Sequence, residues 1–201
     1  MTTKTVKIVV DGCPSNPRTD MDNLTVMACL HGRYDLGDKN AKTIIAEKLG
    51  VSASDYSVPE LVEMAINKKG LVFAHSPLYL YDHSGITMST KPFSCPWDSG
   101  QVGEILIFTA DIKEAFGVKR IGKKKKALLE EKAKLHIESD VKIYDNYISG
   151  EVYGFQILNE DGNVEDSCYG FYGDDVKTNG ILDYIPEDLH EEAINAEISY
   201  S

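Results

Sequence analysis

Residue types able to do chemistry crowd into one stretch, Tyr81 to Gly103 (YDHSGITMSTKPFSCPWDSGQVG). It holds Asp82, His83, Cys95, Asp98, four Ser and the only Trp of the chain, Trp97. A Ser or Cys nucleophile works when a His base and a carboxylate orienter meet it at hydrogen-bond distance. Asp82-His83-Ser84 cannot be such a triad by itself, because neighbours on a strand point to opposite faces. Cys95 with His83 or His75 requires the loop to fold back. The glycine-flanked nucleophile elbow, GxSxG, is absent. A metal set would draw on His31, His75, His83, Cys95 and Asp98, none of which has HxxxH, HExxH or CxxC spacing. The sequence therefore leans away from catalysis and gives no catalytic residue, no metal and no cofactor. Asp82 and Ser84 read equally well as turn-formers before Gly85. Trp97 and Asp98 have two readings. Trp97 plugs the core while Asp98 caps a turn, or the pair is offered to a partner, as Trp often is at binding hot spots.

The elements that must position these residues alternate in clusters. Thr5 to Val10 and Asn23 to Leu30 read as strands. Asn40 to Leu49 reads as a helix stopped by Gly50. Ser57-Val58-Pro59-Glu60 opens another, with Ser as N-cap and Glu three residues on. Leu71 to Tyr81 is a strand whose Pro77 demands an edge or a bulge, and Gly85 to Thr90 pairs with it. Lys91 to Gly100 is a loop before the apolar strand Glu104 to Phe108. Thr109 caps a helix through Phe116. Lys123 to His136 is a helix with Leu128, Leu129, Lys132 and Leu135 on its apolar face, and Ser139 to Ile148 is a further helix. Glu151 to Leu158 and Val164 to Tyr172 flank Asn159 to Asn163, whose Asp-Gly is the clearest hairpin signal in the chain. Alternation would place Tyr153 with Phe155, and Tyr169 with Phe171, on one face each. A short helix opens at Pro186. The expected fold is α+β: a mixed or antiparallel sheet with several flanking helices and a C-terminal β-hairpin, in a single domain over 1–201.

Charge is placed unevenly. The net charge of the 201 residues is −11, yet from Glu151 onward thirteen acids face one base, Lys177. Residues 1–150 are near neutral, and within them Lys119, Arg120 and Lys123, Lys124, Lys125 and Lys126 form a basic cluster. Such asymmetry points to a charged partner. Acids also surround the aromatic hairpin, which disfavours stacking on nucleic acid there, and Walker A and Rossmann glycine patterns are absent. No run of about 18 apolar residues occurs, so no membrane span is expected. The first residues lack a signal layout, and four scattered Cys suit a reducing compartment. The expected location is the cytoplasm.

Several motifs resemble a family of small phage and prophage proteins. They are Tyr81-Asp82-His83-Ser84-Gly85, Pro92 to Gly103, Tyr144-Asp145-x-Tyr147-x-x-Gly150 to Phe155 and Asp166 to Gly173, with Asp22-Asn23-Leu24 and His31-x-Arg33-Tyr34-x-Leu36-Gly37-Asp38 nearer the start. The likeness spans roughly Asp22 to Gly173, with Tyr169 where a Trp is expected. It implies an accessory protein of a mobile element, of the anti-CRISPR or antirestriction kind, and brings no catalytic role with it.

Three functions follow as expectations. The first is an inhibitor of a host defence nuclease, a Cas effector among the options. It would bind by protein–protein contact through Asp174, Asp175, Asp183, Glu187, Asp188, Glu191 and Glu192, with Trp97 and Asp98, and compete for a basic nucleic-acid channel. The second is a hydrolase of nucleic acid or nucleotides using Asp82, His83, Cys95, Asp98 and His31. The third is direct DNA binding through Lys123 to Lys126.

Overall fold

The computed structural model describes residues 4–199. The fold is α+β, with five α-helices and two four-stranded sheets among the described residues. The chain divides into two compact units, residues 1–17 with 146–201, and residues 18–145.

In the first unit the sheet has the order β7-β6-β1-β8. Strand β1 (Thr5–Val10) pairs antiparallel with β6 (Val152–Leu158), which pairs antiparallel with β7 (Val164–Tyr172). The two-residue β8 (Ile198–Ser199) lies parallel to β1. The expected hairpin forms: Asn159 Oδ1 accepts from the N–H groups of Asp161 and Asn163, and Gly162 takes φ 79°, where glycine is favoured. One sheet face packs Val6, Ile8, Tyr153, Phe155, Ile157 and Phe171 against two 3₁₀ turns (Ile181–Tyr184 and Glu187–Leu189) and helix α5 (His190–Asn195).

The expectation that Tyr169 and Phe171 share a face is corrected. Tyr153 opposes Phe171 while Gly154 opposes Tyr169, so Gly170 is an extra residue in a bulge, with φ 90°. A bulge re-aims the side chains on either side of it. Phe171 enters the core, and Tyr169 lies across Gly154, its hydroxyl accepting from Gln156 Nε2 at 2.9 Å. A Cβ on Gly154 would stand 2.4 Å from the Tyr169 ring, so glycine is needed there.

In the second unit the sheet order is β2-β5-β3-β4, all antiparallel. The strands are β2 (Val26–Cys29), β3 (Val72–Asp82), β4 (Ile86–Ser89) and β5 (Ser99–Phe108). Because β4 covers only Tyr79 to Asp82, Pro77 sits where β3 has a free edge, the position its missing N–H requires. Helices α1 (Ala41–Leu49) and α2 (Val58–Asn67) pack Ile45, Leu61, Val62 and Ala65 on Val26, Ala28, Leu106 and Phe108. Helix α2 opens with the expected capping box between Ser57 and Glu60, and Gly50 ends α1 at φ 76°.

The opposite face of this sheet belongs to α4 (Lys123–Ser149), which follows the short α3 (Thr109–Ala115). The two helices expected at 123–136 and 139–148 are one helix of 27 residues. No glycine or proline interrupts Lys123 to Ser149. Its buried stripe is Leu129, Ala133, Ile137, Val141 and Tyr144, a four-residue repeat with a closing step of three. Leu128 and Leu135, expected in the core, lie about 100° and about half a turn from the stripe and are 54% and 59% exposed. Thr109 is not a side-chain cap, since the N-cap position of α3 is Phe108.

A buried arginine fastens this unit. Arg18, with 1% of its side chain exposed, donates from Nε and Nη2 to Asp38 at 2.7 and 3.0 Å. It also donates to Asn23 Oδ1, the Thr25 hydroxyl, the Thr25 carbonyl and, at 3.5 Å, Asp140 of α4. Asp38 Oδ2 in turn accepts from Met27 N–H, and Asp38 N–H donates to the Met27 carbonyl. The edge of β2 is thus closed by Asp38 rather than left open for another strand.

Candidate functional site

The Tyr81–Gly103 stretch folds as the end of β3, β4, a loop and the start of β5. The turn after β3 puts Ser84 at φ 58°, a left-handed position that few residues other than glycine adopt, and His83 N–H donates to the Gly85 carbonyl. The loop is tied at both ends. Asp82 N–H donates to the Asp98 carbonyl at 2.8 Å, and the Ser99 hydroxyl donates to the Cys95 carbonyl at 2.5 Å. Tyr81 packs its ring on Phe93.

Folding brings His83, Cys95 and Asp98 together, but around a single oxygen. Asp98 Oδ2 accepts from Cys95 Sγ at 3.5 Å and lies 3.5 Å from His83 Nδ1. A nucleophile and its base must contact each other, and here both contact the carboxylate instead. Asp82 is engaged elsewhere: it pairs with Arg33 and accepts the Tyr34 hydroxyl at 3.1 Å. His31 stacks on Tyr34 and accepts, at Nδ1, from the N–H groups of Arg33 and Tyr34. His75 lies apart from the loop, 3.1 Å from Glu104. Among the described residues no group of three or more His, Cys, Asp or Glu side chains is disposed to hold a metal ion.

Trp97 is not a plug. It is 92% exposed and borders a cavity of about 300 Å³ together with Arg33, Asp82, Asp98 and Gln101. The reading of Trp97 as a core plug is thereby corrected. Arg33 entered the sequence reading only through its motif. Its pairing with Asp82 joins positions 49 residues apart, which no spacing rule detects.

The seven acidic residues expected at a binding face, Asp174, Asp175, Asp183, Glu187, Asp188, Glu191 and Glu192, are all exposed. Two of them serve their own unit. Asp175 accepts from Lys177 N–H and the Thr178 hydroxyl, an Asx turn. Glu192 accepts from Val6 N–H at 3.1 Å, where β8 is too short to pair. Among the described residues, no ion pair or hydrogen bond engages the carboxylates of Asp174, Asp183, Glu187, Asp188 or Glu191. Tyr184, which sequence reasoning missed, stands beside Asp183, 63% exposed, its ring edge-on to Phe171. With Lys4, Lys7 and Asp11 counted in, the first unit carries −11, and the second is neutral.

Lys123 to Lys126 form the exposed first turn of α4, with Lys126 paired to Glu130 at 3.4 Å. No described helix is long and apolar enough to cross a membrane. No family model matches the chain, and neither a curated protein nor a solved structure matches it.

Proposed function

We propose that this protein acts by binding rather than by catalysis, its acidic first unit occupying a basic, polyanion-binding surface of a partner protein. One observation carries the reading. Five exposed carboxylates without an ion pair or hydrogen-bond partner among the described residues, Asp174, Asp183, Glu187, Asp188 and Glu191, lie within an eighteen-residue stretch that also holds the exposed Tyr184. Like charges gathered this way repel one another and do nothing for folding. A basic partner relieves that repulsion and is drawn in at high rate. Tyr184 adds an aromatic anchor of the kind found at hot spots. The resemblance to phage accessory proteins makes a host defence nuclease, of CRISPR or restriction type, the first partner to test.

The test is capture of partners from a bacterial lysate that carries defence systems, followed by inhibition of the purified nuclease. The expected result is capture of a basic nucleic-acid-binding protein that weakens as salt rises. It is lost when the five residues are changed to Asn or Gln. Capture or inhibition indifferent to both changes sinks the proposal.

A further inference from the structure

The cavity beside Trp97 does not end at the loop. Strand β2 stops at Cys29, and Leu30 still donates its N–H to the Val102 carbonyl at 2.8 Å before the chain turns away. On β5, Gln101 and Val102 line both the Trp97 cavity and a larger groove of about 660 Å³. The floor of this groove is apolar, with Ala28 and Val102 from the sheet and Val62 and Ile66 from α2. Leu30, 63% exposed, stands on its wall. The volume is in the range of sites that bind ligands or anchor side chains.

Charge lining the groove has one sign. Among the described residues, the acidic or basic side chains lining the groove are Glu63 and Glu104. Glu104 accepts from Gln101 and meets His75, whereas Glu63 is exposed and unpaired among the described residues. In the adjoining cavity Arg33 is matched by Asp82, and the second carboxylate, Asp98, meets only His83 and Cys95, with no lysine or arginine on it among the described residues. Two exposed apolar side chains, Leu30 and Trp97, are therefore set near Glu63, Glu104 and Asp98, carboxylates that no lysine or arginine pairs among the described residues. Phosphate is repelled from such a surface, and two adjoining cavities suit a chain bearing several side chains.

We propose that the groove and Trp97 form a docking surface for a basic, apolar segment of a partner protein. An aliphatic side chain fills the groove over Val62 and Ile66. An arginine or lysine lies on the Trp97 indole, the best aromatic face for a cation, next to Asp98. This surface belongs to the second unit and does not depend on the acidic face of the first.

Trp97 is the only tryptophan, so its fluorescence reports this surface alone. The probe is a synthetic peptide of alternating leucine and arginine, titrated into the full chain at physiological ionic strength. One control peptide has serine for leucine, and another glutamate for arginine. Emission of the exposed indole is expected to shift to the blue and saturate with the first peptide only. Leu30→Asp and Glu63→Lys, both at exposed positions and checked for folding by circular dichroism, each weaken binding by about tenfold or more. Neutralising the five carboxylates of the first unit leaves the shift unchanged, which separates this proposal from the preceding one. Equal binding of the serine peptide, absence of a blue shift, or wild-type affinity in both variants overturns it. So does a blue shift that appears on raising protein concentration without peptide, since a second copy would then occupy the surface.

Discussion

Replacing Arg18 by Met keeps the aliphatic bulk and deletes the guanidinium. Asp38, whose side chain is 8% exposed, then loses two charge-assisted hydrogen bonds and keeps only Met27 N–H. Asp140, 17% exposed, keeps the Thr25 hydroxyl at 2.6 Å. Removing one partner of a buried ion pair costs about 3–5 kcal/mol, because the other charge stays in a poorly solvated place. Asp140 is half-satisfied, so the cost should fall in that range without adding a second full penalty. Urea unfolding followed by far-ultraviolet circular dichroism measures it, and hydrogen exchange at Met27 N–H should quicken as the β2 edge loosens. Adding Asp38→Asn removes the stranded charge, so the double variant should cost less than the sum of the singles. A single-variant cost below about 1 kcal/mol, the level of an exposed pair, refutes the fastening role. So does strict additivity.

Burial, with the Asp38 carboxylate nearby, pushes the Cys29 thiol up to about 12. Cys29 should therefore stay protonated and resist iodoacetamide at pH 8 while exposed Cys13 is alkylated, as peptide mass spectrometry would show. Gly154→Ala places a methyl against the Tyr169 ring and the Cys168 carbonyl. It should destabilise the first unit by about 1–3 kcal/mol in urea unfolding, with part recovered in Gly154→Ala/Tyr169→Ala. Hydrogen bonds from the Ser57 N–H and hydroxyl hold the Glu60 carboxyl below its usual range. A depressed carboxyl stabilises above its unfolded pKa and loses that contribution as pH falls through its folded value. The stability of wild type relative to Glu60→Gln should thus shrink on acidification and be flat above pH 6, where equal slopes at all pH would contradict the capping box.

Local signals were legible wherever the chemistry is local. Gly50 and Gly162 sit at left-handed turns, Ser57 to Glu60 caps a helix and Pro77 lies on a free edge, each because one residue's backbone limits or nearby donors decide the outcome. The exposure of the seven acids was equally readable, since charged side chains avoid burial. The single 27-residue helix was not, because Lys132, Ser139 and Asp140 blur the period until the buried stripe Leu129 to Tyr144 is seen against the sheet. Tyr169 needed the Gly170 bulge, which only strand pairing reveals. The amino-acid sequence by itself determined the α+β class, the hairpin and the concentration of charge after Glu151, all consequences of pattern and composition. Tertiary structure alone decided that β1 joins the acidic hairpin in one unit, that Asp98 draws both His83 and Cys95, and that Trp97 faces water. Those outcomes depend on residues far apart in the chain meeting in space, and no spacing rule encodes such a meeting.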